Sequence, residues 1–342
     1  MIPMRTILPA GIDRKGIEQW ILKHREILWL KEHCLFLDQW LNSENILCHT
    51  SGSTGSPKEI ELSKAWLILS AQRSLNVFKL PQNAQLLLQL PADKIGGRMM
   101  IVRALIGGFD LHILPASSSI DDSRSYDFAA FTPHQLMKSL EQDGQPEIAQ
   151  IILGGSQVPA SLESTLQSWE TLVYETYGMT ETASHIALRP LNGIAPSKFF
   201  QCLEGIQIRS GEQDELWIRF IEGSSEIQTK DVVKIHSESE FEVLGRLDSA
   251  INSGGIKLFP ETIERELSMH INESFFFFGE RDELLGEHLA LVIEGEEHEL
   301  PDFKEILGKY ELPKRVYWVQ SLVRTSNGKV NRSASIGLLN AT

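Results

Sequence analysis

The chain has 342 residues, of which 42% are hydrophobic and 23% charged, and its net charge is −14. That length holds one large domain and a smaller one with ample apolar content for a core. The acidic balance excludes a nucleic-acid binder, whose affinity rests on a basic surface. It leaves anionic small molecules open, because clustered lysines and arginines outweigh the global sign inside a cleft. Cys34, Cys48 and Cys202 match no metal or disulfide spacing, and no stretch reaches the roughly 18 consecutive apolar residues of a membrane span. The N-terminus lacks the layout of a signal peptide. A cytoplasmic protein without membrane insertion is expected.

In chain order, Ile17, Trp20, Ile21, Ile27, Leu28 and Leu30 recur at helical spacing and predict one or two amphipathic helices within 14–42. A short apolar run, Ile46 to Cys48, reads as a strand. It empties into Thr50-Ser51-Gly52-Ser53-Thr54-Gly55-Ser56, where five of seven residues carry a hydroxyl and two are glycines, and Lys58 closes the stretch. Glycines let the backbone approach an anion, hydroxyls and N–H groups donate, and a lysine balances charge. This is a phosphate cradle, but not a P-loop, since Pro57 has no N–H and the Gly-Lys-Ser/Thr ending is missing. Ser63 is the expected N-cap of a helix through Val77.

Strands are predicted at 86–90, 111–114, 128–131, 148–153 and 172–174. Helices are predicted at 98–105, ending at Gly107-Gly108, and at 133–140 and 160–169. Such alternation means a mostly parallel sheet covered on both faces, with ligands at the carboxyl ends of its strands. Gly154-Gly155-Ser156 and Tyr177-Gly178-Met179-Thr180-Glu181-Thr182 sit at such ends. After residue 200 paired short strands at 206–209, 216–220, 232–235 and 241–244 predict hairpins. A helix at 260–269, a strand pair at 275–278 and 289–293, a helix near 303–309 and a basic tail follow. The expected fold class is α/β. A large N-terminal domain, 1–247, has a mostly parallel sheet with flanking helices and a small β subdomain at about 203–247. A small mobile α+β domain occupies 248–342.

The cradle string, Tyr177 to Glu181, Gly245 to Glu264 and Arg324 to Arg332 together resemble, in order, the motifs of the adenylate-forming superfamily of acyl-CoA synthetases and adenylation domains. The resemblance covers nearly the whole chain, which is shorter than most relatives before the cradle. By that resemblance Thr50, Ser51, Gly52, Ser53, Thr54, Gly55 and Lys58 hold the departing phosphates of ATP. Gly154, Gly155 and Ser156 line the adenine, Tyr177 stacks on it beside Gly178, and Thr180 binds the α-phosphate. Glu181 serves magnesium, a cation suited to hard oxygen ligands. Asp231 grips the ribose, although Lys230 precedes it where the family has glycine, and Arg246 contacts ribose or phosphate. Asp248 is the hinge, and Gly254-Gly255 line the thiol channel. Lys329 bridges the carboxylate and the α-phosphate, where removing one such donor costs about 3–4 kcal/mol.

The compact length and the run Tyr177 to Arg189 resemble the o-succinylbenzoate–CoA ligase subfamily. The implied substrates are a small carboxylic acid, ATP and coenzyme A, with Mg²⁺. A second carboxylate on the acid calls for a cation, and Lys94 or Arg98, with Ser184 and His185 nearby, are the expected readers. Competing readings are another aryl- or acyl-CoA ligase, a stand-alone adenylation domain loading a carrier protein, and a non-catalytic nucleotide-binding regulator. The sequence leaves a homo-oligomer open.

Overall fold

The apolar runs read as strands lie side by side, because only a covered sheet buries both faces of segments such as Leu86-Leu87-Leu88 and Phe128-Ala129-Ala130, all essentially inaccessible to solvent. The computed structural model describes residues 5–49, 58–120, 122–222, 226–324 and 330–339. It divides into two compact units, residues 1–157 with 165–206, and residues 158–164 with 207–342.

The first unit begins with β1 (Thr6–Leu8), α1 (Arg14–His24) and α2 (Lys31–Asn42). Of the residues expected on apolar faces, Ile17 and Trp20 on α1 are buried, as is Leu30, whereas Leu28 is exposed; α2 buries Phe36, Leu37 and Trp40. β2 (Asn45–His49) and β3 (Glu59–Ser63) form an antiparallel ribbon of their own. α3 (Lys64–Phe78) follows, its first turn capped by the Ser63 hydroxyl accepting from the Trp66 N–H. Next come β4 (Gln85–Leu88), α4 (Ile95–Gly107), β5 (Asp110–Ile113), β6 (Tyr126–Phe131), α5 (Pro133–Gln142) and β7 (Ile148–Leu153). α6 (Ala160–Leu166) follows in the chain, with its residues 160–164 belonging to the second unit. β8 (Leu172–Met179), β9 (Ser184–Pro190) and β10 (Phe200–Cys202) complete the unit.

Strand order is β1-β5-β4-β6-β7-β8-β9-β10. The strands from β5 to β8 in that order are mutually parallel, while β1, β9 and β10 run antiparallel to their neighbours. Sequence reasoning missed four strands here, the short β10 among them. β1 was not read at all. β3 has only Leu62 buried and alternates with glutamates, so it carries little apolar signal. β9 continues a motif that reads as a strand–turn–helix junction, yet the chain turns back as a strand.

The second unit opens with β11 (Ile206–Ser210), β12 (Glu215–Phe220), β13 (Glu226–Ile235) and β14 (Glu240–Arg246), in the order β14-β13-β12-β11. β15 (Ile251–Ser253), β16 (Ile256–Leu258), α7 (Pro260–Leu267), β17 (Phe275–Asp282), β18 (Gly286–Glu294), β19 (Arg315–Val319) and α8 (Arg332–Leu339) follow. The central strand β18 pairs with β15, β17 and, in parallel, β19. The run of four phenylalanines is explained by alternation across two apolar faces. Phe277 packs with Ile263, Leu267 and Leu291, whereas Phe276 packs with Val292 and Leu322.

The helix expected near 303–309 is a correction. Only one 3₁₀ turn forms, Phe303–Glu305, between Pro301 and Pro313 with Gly308 inside, too short a stretch to offset helix nucleation. Residues 207–247, expected in the large domain, cluster with the C-terminal residues. Thr262 Oγ1 donates to the Leu244 carbonyl, and Ser249 Oγ donates to Glu261 Oε1 at 2.7 Å. Position 247/248 is therefore not where compactness divides. Among the described residues no helix is long and apolar enough to cross a membrane.

Candidate active site

The cradle residues Thr50, Ser51, Gly52, Ser53, Thr54 and Gly55 lie outside the described residues, as does Lys329. Their flanks are informative. His49 pairs with Glu59, so the cradle joins the two strands of the β2–β3 ribbon, and exposed Lys58 stands at its exit. Arg98 braces that ribbon from α4. Its guanidinium donates to the carbonyls of Leu47 and Ala92 and to Cys48 Sγ at 3.3 Å, and lies over the Phe36 ring. Lys94 pairs with Asp93 at 3.0 Å.

The corner between β8 and β9 is held by several independent constraints. Residues 180–182 make a 3₁₀ turn that the Thr182 hydroxyl staples, accepting from the Met179 N–H at 2.9 Å and sitting 2.6 Å from the Ser184 carbonyl. Ala183 and Ser184 then adopt φ of +56° and +131°, conformations that cost an L-residue roughly 1–3 kcal/mol each and that cluster at functional sites. A register shift between Tyr177 and Gly178 re-aims the strand. A Cβ on Gly178 would stand 2.2 Å from the Ser184 carbonyl oxygen, so only glycine fits. Thr180 and Glu181 project half-buried from this turn, and Glu181 has no hydrogen bond or ion pair among the described residues. Tyr177 lies 5.8 Å from the Phe200 ring. Phe200 in turn sits 5.9 Å from the Arg189 guanidinium, which is held at 2.7 Å by buried Glu175 across the strand pair.

At the end of β7, the Gly154 N–H donates to the Phe131 carbonyl, and a Cβ there would lie 2.6 Å from Thr176 Oγ1. Gly155 turns with φ +86°, and Ser156 is exposed. This loop and the Tyr177 corner follow neighbouring parallel strands, the position that binds ligands in such sheets.

Sequence reasoning missed Arg103. It is 1% exposed, deep in α4, and donates to Ser74 Oγ at 2.9 Å, Ser184 Oγ at 3.1 Å and His185 Nδ1 at 3.3 Å. No carboxylate faces it among the described residues. Burial lowers its pKa to about 9, which still leaves it charged at neutral pH. Burial, reinforced by the Arg103 charge, drives His185 well below the usual imidazole range, so the ring stays neutral. His185 Nε2 meets Ser74 Oγ at 3.0 Å. A buried cation among neutral acceptors is an arrangement that an anion would complete. Its one sequence signal is a lone arginine inside the apolar run Ile101 to Ile106.

The second unit brings together three residues singled out from sequence. Asp231 and Arg246 are directly opposed on β13 and β14 and pair at 3.1 Å, while Arg246 also holds Asp248 at 2.9 Å. Arg246 above all lowers the Asp248 pKa. Lys230, the departure from glycine, pairs with Asp248 at 3.4 Å. Gly254 and Gly255, with φ of +59° and +85°, form the two-residue turn of the β15–β16 hairpin, which demands left-handed residues.

No group of three or more His, Cys, Asp or Glu able to hold a metal exists among the described residues. A magnesium ion held mainly by phosphate and water needs only a carboxylate such as Glu181, so the donor set fits that ion.

Residues 36–199 match the AMP-binding enzyme family. The 2-succinylbenzoate–CoA ligase of Haemophilus influenzae is 28% identical over 79% of this chain, which spans 62% of that relative's length. The probable 2-succinylbenzoate–CoA ligase of Mycobacterium tuberculosis is 26% identical, covering 84% of this chain and 82% of its own. Among solved structures, an acyl-CoA synthetase (AMP-forming)/AMP-acid ligase II-like protein from Dyadobacter fermentans is 29% identical. It covers 98% of this chain and all of its own, with a TM-score of 0.64. The Bacillus subtilis o-succinylbenzoate CoA synthetase, solved with its acyl-adenylate intermediate, shares the fold at TM-score 0.73 and 23% identity, over 84% of this chain and 68% of its own. Family model, relatives and fold thus point the same way: residues 36–199 match the AMP-binding enzyme family, and the relatives and the solved structure at 29% identity are acyl-CoA ligases or similar to them.

Proposed function

We propose that the chain is an AMP-forming carboxylate–coenzyme A ligase whose acid is o-succinylbenzoate, a dicarboxylate. The observation that carries the substrate reading is Arg103, a buried cation whose partners among the described residues are neutral, reaching the Tyr177–Ser184 corner through half-buried Ser184. In this reading Arg103 takes the role first given to Lys94 and Arg98. Arg98 is committed to two main-chain carbonyls, and Lys94 to Asp93. Ser184 orients the non-reacting carboxylate, and neutral His185 holds Arg103 without cancelling its charge. The relatives named 2-succinylbenzoate–CoA ligase support the same acid.

In the first half-reaction a carboxylate oxygen of the acid attacks the α-phosphorus of ATP and pyrophosphate leaves. Thr180 donates to the α-phosphate, Lys329 stabilises the charge developing there, and Tyr177 stacks on the adenine beside the Gly154-Gly155-Ser156 loop. The cradle and Lys58 hold the β- and γ-phosphates and release them as pyrophosphate. Glu181 would hold the magnesium ion, which would supply charge neutralisation on the phosphates. Asp231 binds the ribose, and its pairing with Arg246 fixes the carboxylate's orientation. In the second half-reaction the C-terminal residues turn about Asp248, and Gly254-Gly255 admit the coenzyme A thiol. The thiol loses its proton, its sulfur attacks the acyl carbonyl, and AMP leaves. Different groups thus serve two steps on one fold.

Pyrophosphate release across a panel of mono- and dicarboxylic acids, with and without coenzyme A, tests the proposal. Release with o-succinylbenzoate and thioester formation with coenzyme A are expected. Release with thioester formed only on a carrier protein would overturn the ligase reading, and a preference for monoacids would overturn the acid.

A further inference from the structure

The ends of the segment that carries Lys329 are clamped on both sides by ion pairs that no step above uses. Arg324 and Val330 form an antiparallel bridge, and the Asn331 N–H donates to the Val323 carbonyl at 2.7 Å, so the two ends meet. On one side Arg324 donates to Glu294 Oε2 at 2.7 Å and to Ser274 Oγ at 2.8 Å. Glu294 is held in turn by the Leu322 N–H and Ser321 Oγ. On the other side Arg332 donates to Glu264 Oε2 at 2.7 Å and lies over Phe276. Glu264 Oε1 accepts from the Phe277 N–H at 2.8 Å, which ties the clamp to both α7 and β17. Glu261, one turn earlier on α7, faces Arg332 at 3.8 Å and accepts from Ser249, the neighbour of Asp248.

We propose that Glu264 and Glu294 are positioning residues for adenylation. By gripping Arg332 and Arg324 they fix both ends of the segment whose Lys329 meets the α-phosphate, an inference that rests on the role of Lys329 given above. The Glu264 arm of this clamp is set apart from a stabilising ion pair by its burial. Burial pushes the Glu264 carboxyl up to about 7, despite Arg332 and the Phe277 N–H, with Glu261 adding to the rise. A carboxyl whose pKa is higher in the folded than in the unfolded chain loses stability as pH rises, here from about 4.5 to about 7. The charged form therefore does not serve folding. It holds Arg332. At Glu294 burial opposes ionisation, but the Leu322 N–H and Arg324 outweigh it and the carboxyl lies below its ordinary range.

The test compares the wild-type chain with Glu264→Gln and Glu294→Gln by amide hydrogen exchange of residues 322–332. It adds melting temperature, pyrophosphate release, and thiolation of supplied acyl-adenylate. Both variants should exchange faster at 330–332 and lose about 10- to 100-fold in adenylation, the scale of a roughly 1 Å misplacement, with thiolation within about twofold. Glu264→Gln should melt at or above the wild type at pH 8. It should also lack the wild-type rise in adenylation as pH passes about 7. Unchanged exchange in both variants, or equal loss of both half-reactions with a lower melting temperature, overturns the clamp. Faster exchange in variants of a chain whose wild type releases no pyrophosphate with any acid upholds the clamp and overturns the role of Lys329.

Discussion

Two arginines in the first unit are buried to the same 1% and do opposite things. Arg189 faces Glu175 across the β8–β9 pair, with two nitrogens on one carboxylate oxygen at 2.7 and 2.8 Å, and it adds a contact with the Phe200 ring. Arg103 has two serines and a neutral histidine. A compensated buried charge is a structural part, whose removal leaves its partner stranded. An uncompensated one is a cost the fold carries without visible structural return, and a ligand is the natural recipient. Equal burial and equal chemistry thus separate into scaffold and site by the partner alone.

The comparison breaks first at the paired residue. Arg189→Met strands Glu175 and should destabilise the chain by roughly 3–5 kcal/mol, whereas the double change with Glu175→Leu should recover most of that loss in denaturant unfolding. Near-additive single losses would mean the pair is not coupled. The next effect concerns buried bases that stay neutral. Burial, outweighing Asp93, lowers the His33 pKa to about 4. A base whose pKa is lower in the folded chain loses stability as pH falls from 6.5 to about 4, here by about 3 kcal/mol, and His33→Gln should flatten that slope. His185→Gln should flatten a further part, because its pKa is lowered too. A pH slope between 7 and 4 left unchanged by both substitutions would contradict the assignment.

A smaller effect is expected at the corner. Gly178→Ala puts a methyl against the Ser184 backbone and should cost about 1–3 kcal/mol in thermal unfolding, with loss of adenylation because Thr180 and Ser184 shift together. A variant as active as the wild type would show that the corner need not be rigid. The smallest stability effect belongs to Arg103→Met, within about 1 kcal/mol of the wild type or stabilising, since it removes a buried charge and strands no carboxylate. A loss as large as that of Arg189→Met would erase the distinction between the two arginines.

Much of this was legible in the sequence. The strand–helix alternation named the parallel sheet, and Ser63, Gly107-Gly108 and Pro133 marked helix ends that the structure uses. Motif strings singled out Tyr177, Asp231 and Arg246, the last two of which the structure pairs with each other. What escaped has physical reasons. β9 and β3 carry little local signal beyond pairing with a partner strand, and β19 depends on β18 for its place. Arg103 looks like an impurity in an apolar helix until α3 and the β8–β9 corner surround it. Lys94 and Arg98 drew attention because a second carboxylate calls for a cation, yet Arg98 braces the β2–β3 ribbon.

The central claim is that Arg103 holds the second carboxylate of the acid. The direct measurement is pyrophosphate release by wild type and Arg103→Met with o-succinylbenzoate and with a monocarboxylate of the same ring. Removing one partner of a buried charge pair costs about 2–5 kcal/mol, so the diacid should fall roughly 30- to 5,000-fold in kcat/KM. The monoacid should change less than about threefold. Equal losses on the two acids, or an unchanged diacid rate, would contradict the account.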